Sequence, residues 1–332
     1  MKRFVLMLMM SLAAAGLWAQ DLAVFQDGFE TFATDMAATL SYNATIGNNW
    51  SDAYIGGFPH FGAGISVGAT TVPADSLDAL FDSMGIAVPS SINSMGLPIP
   101  AAAVSVKLGG FVLPFDVGVK AMVLPAAATE ALSAADISAD YKLLGGNLRF
   151  ALLKQNILMP DVSVGLGYNR LTGSISMPIG DGSESFTFND GTDDYVFTAG
   201  TPKLAMDWMT DSFDLTIQIS KSLLFFRPYA GAGYSFGKSV VNGGVSADME
   251  LTYGGVTQTD YEQVKADLAA AGVDISDLSA DGFMFESENN DPVLRLYGGL
   301  SVDLFILMLD TQVTWVPGTG SLGGTATIRI QL

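Results

Sequence analysis

The most regular pattern of apolar and polar positions lies at the end of the chain, over residues 321–332. Leu322, Ala326 and Ile330 share one parity, whereas Thr325 and Arg329 share the other. Strict alternation of this kind predicts a strand with one apolar and one polar face. The apolar face runs to the last residue, so we expect the chain to end inside a sheet.

The same alternation recurs along the whole chain and predicts antiparallel strands, each about long enough to cross a bilayer at a tilt. These strands cover residues 59–72, 102–112, 115–124, 141–153, 161–177, 201–222, 227–240, 292–302, 305–316 and 321–332. Within 201–222 the apolar parity changes, which predicts either a bulge near Thr210 or a turn that splits the segment. One bulged strand gives ten strands, and a split with a further strand at Phe186 or Tyr195 gives twelve.

The connections between these strands alternate between short and long. Short turns fall near residues 113, 156, 224 and 304, and long connections cover 74–100, 125–140, 178–200, 241–290 and 317–320. Short periplasmic turns and long external loops are typical of bacterial transmembrane β-barrels. We therefore predict an all-β fold, an antiparallel transmembrane β-barrel of 10–12 strands, with small helices in the outer loops at 75–84 and 261–271.

The N-terminal residues carry two further signals. Residues 1–19 read as a cleaved signal peptide, because a basic start precedes a short apolar stretch that ends at Ala19. A retained anchor is the alternative, but the stretch is short for a membrane span. Residues 20–57 are expected to form an N-terminal helix or hatch, and 58–332 the barrel. The helix carries one apolar stripe, and it would plug the lumen, lie on the periplasmic surface or pack on a partner. The stripe consists of Phe25, Phe29, Phe32, Met36 and Leu40.

Composition narrows the chemistry. The chain is 49% hydrophobic and 15% charged, has a formal net charge of −19, contains no Cys and has one His, His60. Without Cys there are no disulfides or thiolate ligands, and a single imidazole excludes a His-based metal cluster. No nucleophile with a nearby base is recognisable, so we predict no enzyme, no metal and no cofactor. An acidic surface also excludes nucleic acid as a partner.

The basic residues fix which face of the strands meets lipid. Five basic residues in the predicted strands are flanked by apolar residues of the opposite parity. A Lys or Arg side chain that faced hydrocarbon near the bilayer midplane would destabilise the barrel by roughly 2–4 kcal/mol. We therefore expect all five to point into the lumen, where Asp116, Asp303 and Asp310 are available as partners. The five are Lys107, Lys120, Arg149, Arg295 and Arg329. The same face is rich in glycine, which indicates either a packed helix or the curvature of a narrow barrel.

Several segments together resemble the outer-membrane long-chain fatty acid transporter family, including its spirochaete-type relatives. They are the signal, the Phe-rich helix, the run from Phe58 to Gly64, the run from Arg227 to Gly233 and the terminal strand. The resemblance implies a barrel of 14 strands with an N-terminal hatch in its lumen. It also implies passage of hydrophobic carboxylates across the outer membrane.

The residues and the resemblance lead to one functional expectation. The five lumen cations would bind a carboxylate head, while the tail lies on Phe25, Phe29, Phe32 and Met36. Expected partners are outer-membrane lipids, a hydrophobic small-molecule ligand and the barrel-assembly machinery. Two other functions stay open, a non-transporting surface protein such as an adhesin or antigen, and a small-solute porin. A soluble β-sandwich is the structural alternative.

Overall fold

A computed structural model describes most of the chain. The described residues are 19–53, 60–76, 78, 96–110, 113–134, 136–178, 184–189, 194–199, 201, 203–246, 249–253, 256–258, 278–279 and 282–332. The expected signal peptide lies outside them except for its last residue. The expected loop helix at 261–271 lies outside them entirely, as does most of the one at 75–84.

Helices are few, and strands dominate the described part of the chain. The helices are α1 (Ala19–Asn43) and α2 (Ala126–Ser133). The strands are β1 (His60–Val72), β2 (Leu97–Gly109), β3 (Phe115–Val123), β4 (Ser138–Leu153), β5 (Asp161–Pro178), β6 (Glu184–Asn189), β7 (Asp194–Ala199), β8 (Lys203–Ser220), β9 (Phe226–Ser246), β10 (Met249–Tyr253), β11 (Val256–Gln258), β12 (Leu278–Ser279), β13 (Gly282–Asn289), β14 (Val293–Leu304), β15 (Leu307–Trp315) and β16 (Leu322–Gln331). Neither helix is long and apolar enough for a membrane span.

The barrel is a closed antiparallel ring of ten strands, β1–β5, β8, β9 and β14–β16. The pairing of β1 with β16 joins the two ends of the strand series, and the pairing of β8 with β9 completes the circle. The predicted range of 10–12 strands is confirmed at ten, and the 14 strands implied by the family resemblance are not found. Because the ring closes on itself, the soluble β-sandwich is excluded.

Two smaller sets of strands accompany the ring. β13 continues β14 in one register along β9, since Asn289 pairs with Ser239 and Val293 with Ser235. β6, β7, β10 and β11 form a separate four-stranded sheet. Phe186 and Tyr195, considered as starts of further barrel strands, belong to this second sheet.

The parity change within β8 has a different cause from the one expected. β8 pairs with both neighbours in unbroken register over all 18 residues, so the predicted bulge or turn is wrong. Even-numbered residues face inward throughout: Met206, Thr210 and Asp214 are all buried. What changes is the surroundings. Near Met206 the lumen is apolar, whereas near Asp214 the lumen is polar and the outer face is apolar.

The outer face of the ring carries the aliphatic residues. Ile65 and Ile328, which pair across the closing strands, are 57% and 59% exposed. Others on this face include Val67, Val104, Val119, Leu144, Leu148, Leu166, Ile217, Leu296 and Val313. A closed ring with an apolar exterior and charged residues inside is the arrangement of a transmembrane β-barrel, because lipid leaves no other place for the cations.

Helix α1 lies inside the ring, against inward-facing residues of β1, β8, β9, β13 and β14. Phe29, Phe32 and Met36 are buried against the wall residues Val241 and Phe285. Phe29 also lies beside Gly243, near the long-loop end of β9, whereas Asn43 donates a hydrogen bond to Thr70 of β1. Both contacts lie toward the long-loop ends of their strands, whereas Trp50 of the following segment reaches Gly62 near the short-turn end of β1. The N-terminal segment therefore descends along the wall from the long-loop end, and its action as a plug or hatch stays a prediction.

We expect Ile328→Arg to destabilise the barrel by roughly 2–4 kcal/mol, because it places a cation in hydrocarbon beside Ile65. Denaturant unfolding in phospholipid vesicles measures the change. Gly318→Arg is the matched control, since a side chain at Gly318 meets nothing within 4 Å. Equal destabilisation by both variants would contradict the assignment of the lipid face.

Candidate functional site: the lumen cations

All five predicted cations lie on the inner wall of the barrel. Lys107 and Arg295 are 1% exposed, Lys120 and Arg149 are 3% exposed, and Arg329 is 1% exposed. Their predicted orientation is confirmed. Burial of a charge is costly unless hydrogen-bonding partners surround it, so the partners define what this site can do.

Two arginines form bidentate pairs with wall carboxylates. Arg149 donates from Nε and Nη2 to the two carboxylate oxygens of Asp116, at 2.9 and 2.8 Å. Arg295 donates to Asp214 at 2.6 and 2.7 Å. The Asp116 partner was predicted, but Asp214 was not. The signal for Asp214 is the odd-numbered apolar run over 213–219, which faces outward and therefore places Asp214 inward.

Arg329 and Arg227 share a carboxylate that strand patterns do not reveal. Arg329 contacts Asp310 at 2.7 Å and Asp52 at 2.8 Å. Arg227 contacts Asp303 at 2.9 Å and the same Asp52 at 3.6 Å. Asp310 pairs with one of the five predicted cations as expected, whereas Asp303 pairs with Arg227, which was not among them. Asp52 lies in an irregular segment without periodicity, so only the structure brings it to the wall.

The two lysines bind backbone carbonyl groups. Lys120 Nζ donates to the carbonyls of Ala44 and Ile46 at 2.5 and 2.8 Å, and Lys107 Nζ donates to the carbonyl of Asn48. Within the described chain, neither lysine has a carboxylate in ion-pair contact. Two buried ammonium groups are therefore held by neutral acceptors, although a carboxylate would bind each more strongly.

Residues 44–53, which follow α1, are the common partner of this wall; we name them the lumen loop. Arg149 Nη1 donates to the carbonyl of Asp52 at 2.7 Å, and Gln218 donates to that of Trp50 at 2.7 Å. The Trp50 indole is fully buried, with Lys107 Nζ 5.0 Å and Arg329 Cζ 4.9 Å from its ring centroids. Cation–π contacts of this kind add to the hydrogen bonds.

Glycine on the wall makes room for the lumen loop. A Cβ atom at Gly62 would lie 2.5 Å from the Trp50 ring, which is far inside a normal contact. At Gly233 the same atom would lie 2.5 Å from the Arg295 guanidinium. At these positions, close packing by the lumen loop and a wall cation explains the glycine.

The predicted tail-binding residues are packed away from open space. Phe29 is fully buried, and Phe32 and Met36 are each 2% exposed against the wall; the side chain of Phe25 lies outside the described residues. A cavity beside Tyr42 and Asn43 has a volume of about 30 Å³. That space is large enough for a few waters but too small for an organic acid. α1 and the lumen loop therefore occupy the space beside the cations.

Acidic groups near the cations do not form a metal site. In the part of the chain that the structure covers, no cluster of three or more His, Cys, Asp or Glu residues is placed to hold a metal ion. Asp116, Asp214 and Asp310 each face an arginine instead.

Comparison with known proteins finds only distant structural similarities. No family model and no curated protein matches the chain. The structure is similar to LpxR from Salmonella typhimurium, with 9% identity over 81% of this chain and 99% of that one at a TM-score of 0.27. It is also similar to the translocator domain of autotransporter NalP from Neisseria meningitidis, with 9% identity over 93% and 98% at 0.31. A third is the CymD monoaromatic hydrocarbon channel, with 9% identity over 87% and 90% at 0.23.

The closed ring with its apolar exterior and charged interior makes the chain a transmembrane β-barrel protein. Membership of the fatty acid transporter family is not confirmed. The prediction that the chain is not an enzyme is wrong as an exclusion, because LpxR is an outer-membrane enzyme. The scarcity of imidazole in this sequence therefore does not establish a non-catalytic role.

We expect Gly62→Ala to loosen the lumen loop, because the added methyl group overlaps the Trp50 ring. Hydrogen–deuterium exchange of a peptide covering 44–53 should accelerate, while exchange in the strands stays slow. Gly298→Ala is the control, since its Cβ atom meets no neighbour closer than 3.5 Å. Unchanged exchange in Gly62→Ala would show that Trp50 does not hold the loop against this wall.

Proposed function

We propose that this outer-membrane barrel binds hydrophobic carboxylates, such as long-chain fatty acids, and passes them across the outer membrane. The observation that carries the proposal is the pair of buried ammonium groups on Lys107 and Lys120. Both are held by backbone carbonyls of the lumen loop and have no described carboxylate partner. A carboxylate that replaced those carbonyls would gain charge-assisted hydrogen bonds.

Strand register brings the two lysines together. Lys107 on β2 pairs with Gly118 of β3, and Lys120 lies two residues further along β3. Two residues in this diagonal relation have Cα atoms about 7–8 Å apart, and their side chains lie on the same face of the sheet. Long flexible lysine side chains at that spacing can converge on one carboxylate head. Arg149 lies beyond them on β4, where its register partner is Asp116.

α1 and the lumen loop act in this proposal as a plug that must move before a ligand passes. The loop contacts the wall through hydrogen bonds to lysine, arginine and glutamine, which a competing anion can replace one at a time. α1 contributes an apolar face above the cations, where Phe29 and Phe32 line the path of a departing tail. Displacement of the loop thus exposes a cationic floor below an apolar channel, which suits an amphipathic acid.

Replacement of both lysines tests the proposal. In Lys107→Gln/Lys120→Gln, binding of a radiolabelled long-chain fatty acid to detergent-solubilised protein should weaken by about ten-fold or more, since a hydrogen bond to a charged group contributes about 1.5–3 kcal/mol. Binding of the alcohol with the same chain should change little, because it lacks the anionic head. The wild type should therefore prefer the acid, and the double variant should not.

Lys142→Gln serves as the control. Lys142 is a β4 residue whose side chain is 60% exposed and pairs with Asp140 outside the lumen. The proposal fails if the double variant keeps the acid-over-alcohol preference of the wild type. Planar-bilayer recordings with added acid separate the other functions: a silent barrel supports a non-transporting surface protein, and a large conductance without acid supports a small-solute porin.

A further inference from the structure

We propose that the short-turn end of the barrel is embedded in the inner leaflet of the membrane, where its apolar turns bind the acyl chains of phospholipids. We name this end the lipid rim. It comprises residues 113–114, 154–160, 221–225 and 305–306. The inference rests on the barrel alone and not on the passage of carboxylates.

The lipid rim exposes large apolar side chains at the tips of its turns. Ile157 is 96% exposed, Leu224 94% and Phe305 fully exposed. Others at least 46% exposed on the rim are Leu113, Leu158, Met159, Leu223, Phe225 and Ile306. Turns that face water are dominated by Gly, Pro, Asn, Asp and Ser instead. Large exposed apolar side chains gathered at one end of the barrel mark an interaction site.

The backbone conformation at two of the turn tips also favours burial of the tips in lipid. Leu224 and Phe305 both have φ near 57°, the left-handed region that Gly and Asn normally occupy. An L side chain is disfavoured there. Burial of a Leu or Phe side chain in an apolar medium offsets that cost. These residues therefore suit a turn whose tip is covered by lipid.

Polar groups of the rim are turned toward its own backbone. Lys221 Nζ donates to the carbonyls of Asn156, Ile157 and Met159, which joins the turn after β8 to the turn after β4. The amide of Ser222 donates to Gln155 Oε1 at 2.9 Å. An open groove of about 470 Å³ lies between the two turns, with Ile157, Leu223 and Leu224 on its walls. The joined turns leave their apolar side chains facing outward.

The strands below the polar border are too short to contain the whole apolar belt, so the belt extends onto the lipid rim. On β5, Tyr168 donates to Asp211, and Arg170 lies 3.5 Å from the same carboxylate, so a polar border lies at this level outside the barrel. From Tyr168 down to Asp161 the strand descends only ~18 Å at ~3.4 Å per residue and ~40° tilt. An apolar belt is about 25 Å tall, so its lower part falls on the turns.

Lipid is the occupant because the rim continues a surface that already faces lipid. Leu152 and Leu153 lead directly into the turn after β4, and Leu304 leads into Phe305. Lys154 is exposed on the same turn, and its long side chain can extend past the apolar tip toward a phosphate headgroup. Its charge complements phospholipid, and cations at the interface favour anionic headgroups.

The natural absence of Cys allows a direct test with single-cysteine variants. Leu224→Cys and Phe305→Cys, each labelled with a bimane fluorophore, are reconstituted in phosphatidylcholine vesicles. The expected result is blue-shifted emission and loss of most fluorescence when the lipid carries a spin label high on its acyl chain. Aqueous iodide should quench little. Gly318→Cys, in the turn between β15 and β16 at the opposite end, is the control and should show the reverse pattern.

Two outcomes would overturn the inference. If iodide quenches the rim labels as strongly as the Gly318 label, the turns face water. If neither iodide nor spin-labelled lipid reaches them, another protein surface, such as a second copy of the chain, covers the rim. Normal labelling and heat-modifiable gel mobility would first show that each variant is folded.

Discussion

The need of buried cations for hydrogen-bond acceptors governs the interior of this barrel. An ammonium or guanidinium group on the inner wall cannot face lipid, and it loses its hydration when the lumen is filled. Wall carboxylates satisfy Arg149 and Arg295, but Lys107 and Lys120 have carbonyls of the lumen loop instead. The loop carbonyls therefore take the place of counter-ions for the two lysines. The position of the N-terminal segment is in this way coupled to the charge on the wall.

The barrel has two levels with opposite polarity. At the level of Arg149 and Asp214 the lumen is polar and the outside is apolar. At the level of Met206 and Val241 the lumen is apolar, because α1 packs there. One strand crosses both levels in a single frame, so the apolar side of its sequence changes parity where the surroundings change. Polarity along such a strand reports on its environment as well as on its secondary structure.

Local alternation carries enough information to place most of this fold from sequence. Ten barrel strands and the inward direction of Arg329 follow from apolar neighbours, since a wrong frame would bury a charge in lipid. Non-local partners do not follow. Asp52 meets Arg329 only because the lumen loop turns back along the wall, and Phe186 and Tyr195 join a sheet formed by distant segments. Sequence periodicity placed Phe29, Phe32 and Met36 on one face of α1 but could not show that this face packs against the wall. Their role in holding a ligand tail stays a prediction.

The N-terminal segment lies inside the ring, and a cross-link between α1 and the wall tests this position most directly. Ser41 Oγ on α1 lies 3.1 Å from Ser239 Oγ on β9, and both residues are buried. In Ser41→Cys/Ser239→Cys, mild oxidation of the vesicle-inserted barrel should form a disulfide, detected by mass spectrometry of the linked peptides. Ser41→Cys/Ser301→Cys, with its second cysteine near the other end of the wall, should not link. Failure of the first pair to link, with the introduced thiol on α1 open to an aqueous thiol reagent, would contradict the account.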